Sequence, residues 1–278
     1  MQTYFPQGIV KEFVDSIYYL SGKAMGTGVA FPRVQQVIII NLGSNFNVSD
    51  VYNTSRPVNE FSSTVWVNGK HDTPFMLGNN GTTAMYAISI KLGMLPYFAA
   101  IPACETNDLA VDAVNWTSKE IFNLREQLLG TDTSNGFRLI EKFLLNMIRN
   151  KELHNLEKIK WLGTALYNSS VAEIGRALGA TRKRLRNEAL FHFGSSLKNI
   201  QGIIRFNQTL ANIANGSDQS LSRLHDYYDQ SHFINDFKAR TGITPLQYKR
   251  LCQQIPAIKY TPNFLSLEKE TFLQFIGA

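Results

Sequence analysis

Cysteine is scarce: Cys104 and Cys252 stand far apart in a chain of 278 residues. A disulfide framework wants more cysteines in a shorter chain, so two reduced thiols and a cytoplasmic setting are expected. No apolar run approaches the length needed to cross a bilayer. The opening residues, Met1 to Pro6, carry no basic stretch followed by an apolar core. Neither a membrane span nor a secretory leader is therefore expected. Histidine is nearly missing from the first 150 residues, where His71 stands alone. A metal-binding barrel needs several histidine or carboxylate ligands gathered together. Paired cysteines, a nucleophile elbow and a phosphate loop are missing too. The expectation is a protein with no catalytic residues, no metal and no cofactor.

What is present is ordinary in bulk and uneven in its distribution. The chain is 44% hydrophobic and 18% charged, as soluble globular proteins are, and it is long enough for two domains. Its net charge is +6. Residues 1–150 hold 11 Lys and Arg against 12 Asp and Glu, whereas residues 151–250 hold 15 against 8. The basic excess lies wholly in the second segment, which suggests a module for a polyanion joined to something else.

The first hundred residues read as mostly β. Val34 to Leu42 is a β-branched run closed by Gly43-Ser44-Asn45. Ser63 to Val67 is another, ended by Asn68-Gly69, a strong hairpin signal. Ala84 to Leu92 alternates as a third strand. This spacing suggests a sandwich or barrel. After Pro96 the pattern turns helical: Asp108 to Asn115, Ser118 to Leu129 with Ser118 as cap, and Phe137 to Arg149. The apolar face of the last could pack on its own domain or against a second copy. From about residue 151 no strand is predicted.

The basic segment has the punctuation of a helix-turn-helix. Ser170-Val171-Ala172-Glu173 is a capping box. Val171, Ile174 and Leu178 form an apolar face, and Gly179 ends the first helix. Thr181 caps a second, with Leu185 and Ala189 on one side and Arg182, Lys183, Arg184, Arg186 and Asn187 over the rest. Such a second helix suits the major groove. Ser195 or Ser196 then caps a long helix to about Asn215. Asp229 caps another to Arg240, with Phe233 and Phe237 as its core pair. Thr244-Pro245 starts the last.

Tyr227-Tyr228-Asp229-Gln230-Ser231-His232-Phe233, then Phe237-Lys238, then Gly242 to Tyr248 resembles the C-terminal signature of AraC/XylS regulators, and the unit ending at Gly194 resembles that family's first helix-turn-helix. The resemblance covers about residues 160–250. It departs from the family in two places. About three residues are missing before Tyr227, so the first helix of the second unit should be short or distorted. Ala189 stands where the family has a large aromatic, leaving Phe191 or Phe193 to fill the gap. The resemblance implies two recognition helices in successive major grooves of double-stranded DNA. It makes Lys183, Arg186, Asn187, Gln230, Ser231 and Asn235 base readers. Arg182, Arg184, Lys198, Arg205 and Lys238 become phosphate contacts. His232 is expected to be a packing or hydrogen-bonding element beside Phe233 rather than a switch. Ile38 to Gly43, Val67-Asn68-Gly69 and Ile88 to Pro96 look like the sensor domain of a subset of these regulators.

The expected fold class is α+β: a β-rich sandwich or barrel with helices over 1–150, then an all-α domain over 151–250 in which a long helix joins two helix-turn-helix units. The extension 251–278 is too apolar to hang free. Phe264, Leu267, Phe272, Leu273, Phe275 and Ile276 should pack somewhere, with the N-terminal half as one candidate surface. The expected function is sequence-specific transcription regulation. The alternative is a small-molecule-binding or protein-interaction module whose DNA-binding part has weakened. A small-molecule effector would meet Trp66, Phe75, Tyr86 or Phe98. A homodimer and, for an activator, RNA polymerase complete the expected partners.

Overall fold

The computed structural model describes all residues except 24–25, 52–58, 62–63, 118, 150–152, 154, 217–229, 268–270, 273 and 275–278. The first half builds two antiparallel sheets. Sheet A contains β1 (Gln2–Tyr4), β2 (Val14–Gly22), β4 (Gln36–Asn41), β7 (Val65–Asn68), β9 (Thr83–Ile90) and β10 (Ala110–Asp112), in the order β1-β2-β9-β4-β7-β10. Sheet B contains β3 (Gly26–Ala30), β5 (Phe46–Asp50), β6 (Asn59–Phe61), β8 (Phe75–Asn79) and the late β11 (Phe264–Leu265), in the order β11-β3-β8-β5-β6. The three strands expected from the sequence fall on β4, β7 and β9, which lie side by side with Ile39 opposite Trp66 and Ala87.

These central strands are apolar on both faces, so they read as continuous β-branched runs. Ile39, Trp66, Met85 and Ala87 meet Phe46 in one cluster, with Leu77 packed against it. Ile38, Ile40, Val65, Val67, Tyr86 and Ile88, on the opposite face of sheet A, join a larger core with the helices. That core takes in α1 (Glu120–Leu129), whose Ile121, Leu124 and Leu128 are buried, and α2 (Thr133–Arg149). It also takes in α3 (Leu156–Asn168), α4 (Val171–Ala177), α5 (Arg182–Phe193) and the start of α6 (Leu197–Ala214).

The outer face of sheet B is covered differently. Val29, Phe31 and Met76 share a core with the end of α6, with α7 (Gln230–Thr241), with α8 (Pro245–Gln254) and with Leu265 and Phe272 of the extension. The first group of C-terminal helices thus lies on sheet A and the second on sheet B. The protein is α+β, and its basic helices are seated on its β half.

Three local expectations fail. Asp108 to Asn115 is not a helix: Ala110–Asp112 pairs with Asn68–Trp66, and the Asp112 carboxylate then accepts the Val114 amide to open a single 3-10 turn. Cross-strand pairing there outweighs weak helical periodicity. Asn68-Gly69 does not turn a hairpin, since β7 pairs with β4 and β10 while the next strand joins sheet B. Gly69 is needed there because a Cβ would stand 1.8 Å from the Thr106 carbonyl oxygen. Beyond residue 151 a strand does exist, β11, two residues long. The caps expected at Ser118 and Asp229, and the first helix of the second unit, lie outside the described residues. The same holds for Leu273, Phe275 and Ile276 of the extension.

Candidate nucleic-acid interface

The first unit is built by local capping. The Ser170 hydroxyl accepts the Glu173 amide at 3.3 Å, and the Glu173 carboxylate accepts the Ser170 amide at 2.8 Å. Those hydrogen bonds hold the Glu173 carboxyl below the usual carboxylate range. Gly179 turns the chain at φ +55°, a conformation that glycine adopts without strain. Thr181 accepts the Arg184 amide at 3.3 Å and opens α5. Ile174, Leu185 and Ala189 are buried between the helices. Arg182, Lys183, Arg184, Arg186 and Asn187 are all exposed on one continuous basic face. The single acid of α5, Glu188, is turned inward and held by Lys158 of α3, with Arg184 at 3.5 Å. The helix therefore presents nearly unneutralised positive charge.

The far end of α5 is fastened to the β half. Phe193 lies over Gly93, which has φ +88° and no room for a Cβ, since one would meet the ring at 2.9 Å. His192 Nδ1 meets the Gly93 carbonyl oxygen at 3.0 Å, and Asn107 donates to the Gly194 carbonyl. Gly194 closes the helix at φ +81°. Of the two aromatics that could replace the one missing at Ala189, Phe193 is buried and Phe191 is 45% exposed.

The second unit presents three faces of α7. Phe233 and Phe237 point into the core, with ring centroids 6.0 Å apart. Gln230, Ser231, Asn235 and Lys238 are exposed. His232, Asp236 and Arg240, spaced four apart, face α6 across a cleft of about 360 Å³, where Lys198 and Arg205 also stand. His232 is exposed on this cleft. Arg205 is half-buried, and its Nε has no hydrogen-bond partner. Arg240 was not a sequence candidate. It pairs with Asp236 at 3.1 Å and lies over the Phe206 ring. The i, i+4, i+8 spacing of His232, Asp236 and Arg240 was the available signal.

The aromatics considered for an effector occupy four separate places. Trp66 packs on Phe46 between the sheets, and Phe75 stacks on His71 at 4.1 Å. Tyr86 packs on Tyr19 and Phe137 on the other face of sheet A. Phe98 meets Phe13 and borders a cavity of about 580 Å³ with Trp116, Phe143 and Met147. Among the described residues no three His, Cys, Asp or Glu side chains are placed to hold a metal ion, and no helix is long and apolar enough to cross a membrane.

No protein-family profile matches the chain, and none of the curated proteins does. Solved structures do. An apo variant of ToxT from Vibrio cholerae is 16% identical, with 84% of this chain and 96% of that one covered and a TM-score of 0.42. A second ToxT structure is 14% identical over 90% of this chain and 97% of its own, again with a TM-score of 0.42. ToxT with an unsaturated fatty acid bound is 14% identical over 84% and 94%, with the same TM-score.

Proposed function

We propose that this protein is a sequence-specific regulator of transcription that binds double-stranded DNA through α5 and α7. The observation that carries the reading is the exposed face of α5, where four cations and Asn187 follow a capped helix and a Gly179 turn. Arginine and lysine donate to guanine O6 and N7, and asparagine pairs with adenine. In this reading Lys183, Arg186 and Asn187 read bases, with Gln230, Ser231 and Asn235 reading the next groove. Arg182, Arg184, Lys198, Arg205 and Lys238 hold phosphates. Residues 1–150 form the sensing half, 151–250 the DNA-binding half and 251–278 an extension. An effector would enter beside Phe98, whose cavity is bordered by Trp116, Phe143 and Met147 together with the polar Asn115, Thr117, Glu120 and Asn146. The half-exposed side of α2 would serve a homodimer. An activator would also touch RNA polymerase.

Fluorescence anisotropy against the protein's own upstream DNA and a scrambled duplex, across a salt series, tests this. Preference for the upstream duplex that survives moderate salt is the expected result. Binding that ignores sequence would favour a weakened interaction module instead. Lys183→Ala or Asn187→Ala should lower discrimination between the two duplexes by about 1–3 kcal/mol for each lost bidentate contact. Arg205→Ala should weaken both duplexes alike and flatten the slope of log K against log salt by about one unit. Equal losses on both duplexes for Lys183→Ala would show that it holds a phosphate and reads no base.

A further inference from the structure

The C-terminal extension ties three parts of the molecule together. The Tyr248 hydroxyl of α8 donates to the Pro262 carbonyl at 2.6 Å. Asn263 donates from Nδ2 to Asn207 of α6 at 2.5 Å, and its carbonyl accepts the Phe31 amide at 2.8 Å. Phe264 and Leu265 then pair with Ala30 and Val29 at the edge of sheet B. The Phe264 ring covers Gly28 so closely that a Cβ there would stand 2.2 Å from it. Phe31, at the end of β3, packs on both Tyr248 and Phe272. One short segment thus fastens α6 and α8 to the β half.

The first unit is fastened separately, on sheet A, through Phe193, His192 and Gly194. With both ends anchored, α7 cannot turn relative to α5 unless an anchor gives. The helix between them, α6, has 18 residues and so rises about 27 Å. Successive major grooves lie about 34 Å apart. With both seats fixed, a pivot of the second unit is the adjustment by which the protein itself can fit α5 and α7 to successive grooves. The extension opposes the pivot. Its strand has two residues at a sheet edge, and short edge elements open at small cost.

We propose that residues 256–267 with Phe272 form an autoinhibitory strap. It holds the second unit on sheet B in the DNA-free protein and leaves β3 when both recognition helices engage a duplex. The inference rests on the DNA-binding reading above. DNA that prefers the released state shifts the population toward it, and a strap that cannot open must lower the apparent affinity.

A covalent lock tests this. The Phe31 amide donates to the Asn263 carbonyl, so the next pair in the antiparallel register, Ala30 and Phe264, is non-hydrogen-bonded. Cα atoms of such pairs lie about 4.5 Å apart, within disulfide reach. The full chain carrying Ala30→Cys and Phe264→Cys, with Cys104→Ser and Cys252→Ser, is compared oxidised and reduced on the upstream duplex. The oxidised form should bind at least about ten-fold more weakly than the same polypeptide reduced. In the wild-type chain, hydrogen exchange at the Phe31 amide should quicken when duplex is added. Equal or tighter binding by the oxidised form, or an unchanged Phe31 amide, would overturn the strap while leaving DNA binding intact. If neither the wild-type chain nor the reduced variant prefers the upstream duplex, the functional reading falls and takes the strap with it.

Discussion

Phe193→Ala should destabilise the protein by about 3–5 kcal/mol, the range for deleting a buried phenylalanine, while Phe191→Ala should cost less than about 1 kcal/mol. The two residues are neighbours but one in effect on the last turn of α5, and only exposure separates them. Phe193 is 1% exposed and Phe191 is 45% exposed. The Phe193 ring fills the space over Gly93 beside Ile159 of α3, so its loss opens a cavity where the first unit meets the β half. The surroundings have little freedom to collapse into it. Gly93 is held by His192, and Gly194 by Asn107. Denaturant unfolding of both variants checks the contrast. A similar loss for the two would mean that the aromatic missing at Ala189 is not replaced by Phe193. Because Phe193 also anchors α5, its alanine variant should loosen that helix from its seat. Hydrogen exchange along α5 would read that loosening directly.

The contrast illustrates what the sequence discloses and what it conceals. The α4–α5 unit was legible because its determinants are local. Ser170, Glu173, Gly179, Thr181 and Gly194 each act within four residues, and the cap hydrogen bonds form where the spacing places them. The exposed basic face followed from the same periodicity. Long-range pairing was not legible. A two-residue strand at Phe264–Leu265 has no period to detect, and its partner lies more than 230 residues earlier. Ala110–Asp112 looked helical because nothing nearby announces that β7 would leave an edge for it. The four aromatics considered for an effector lie apart for a related reason. Trp66 and Tyr86 are both strand residues of sheet A, yet Trp66 faces sheet B and Tyr86 faces the helices. Which face a strand residue takes depends on register, and register was set by pairings that lie far apart in the chain.

Acid should weaken the fold through His71, and the chemistry gives the direction and the window. His71 is buried against Phe75, beside the cations Arg33 and Lys70. Burial first, then Arg33 and Lys70, push its pKa from 6.5 down to about 3, with Asp72 opposing. Its Nε2 has no hydrogen-bond partner, and Asp108 stands 3.7 Å from Nδ1, too far for a hydrogen bond. The folded state therefore keeps the ring neutral where the unfolded chain would protonate it. Below pH 6.5 the unfolded state binds the extra proton, so stability falls as pH drops toward 3. The slope from this one group approaches about 1.4 kcal/mol per pH unit, and the loss near pH 3 is on the order of 4–5 kcal/mol. His192 adds to it in the same direction, because burial against the β half lowers its pKa as well. Carboxylates such as Asp72, which burial pushes up but Lys70 and Asn199 together hold below its ordinary value, lose their own contribution only at lower pH. The measurement is urea unfolding from pH 7 to pH 4 for the wild-type chain and for His71→Gln, whose side chain does not titrate. The variant should start less stable at pH 7 and show a distinctly shallower slope between pH 6.5 and pH 4. Parallel slopes for the two proteins would mean that His71 accepts its proton in the folded state, through Asp108 moving to meet it.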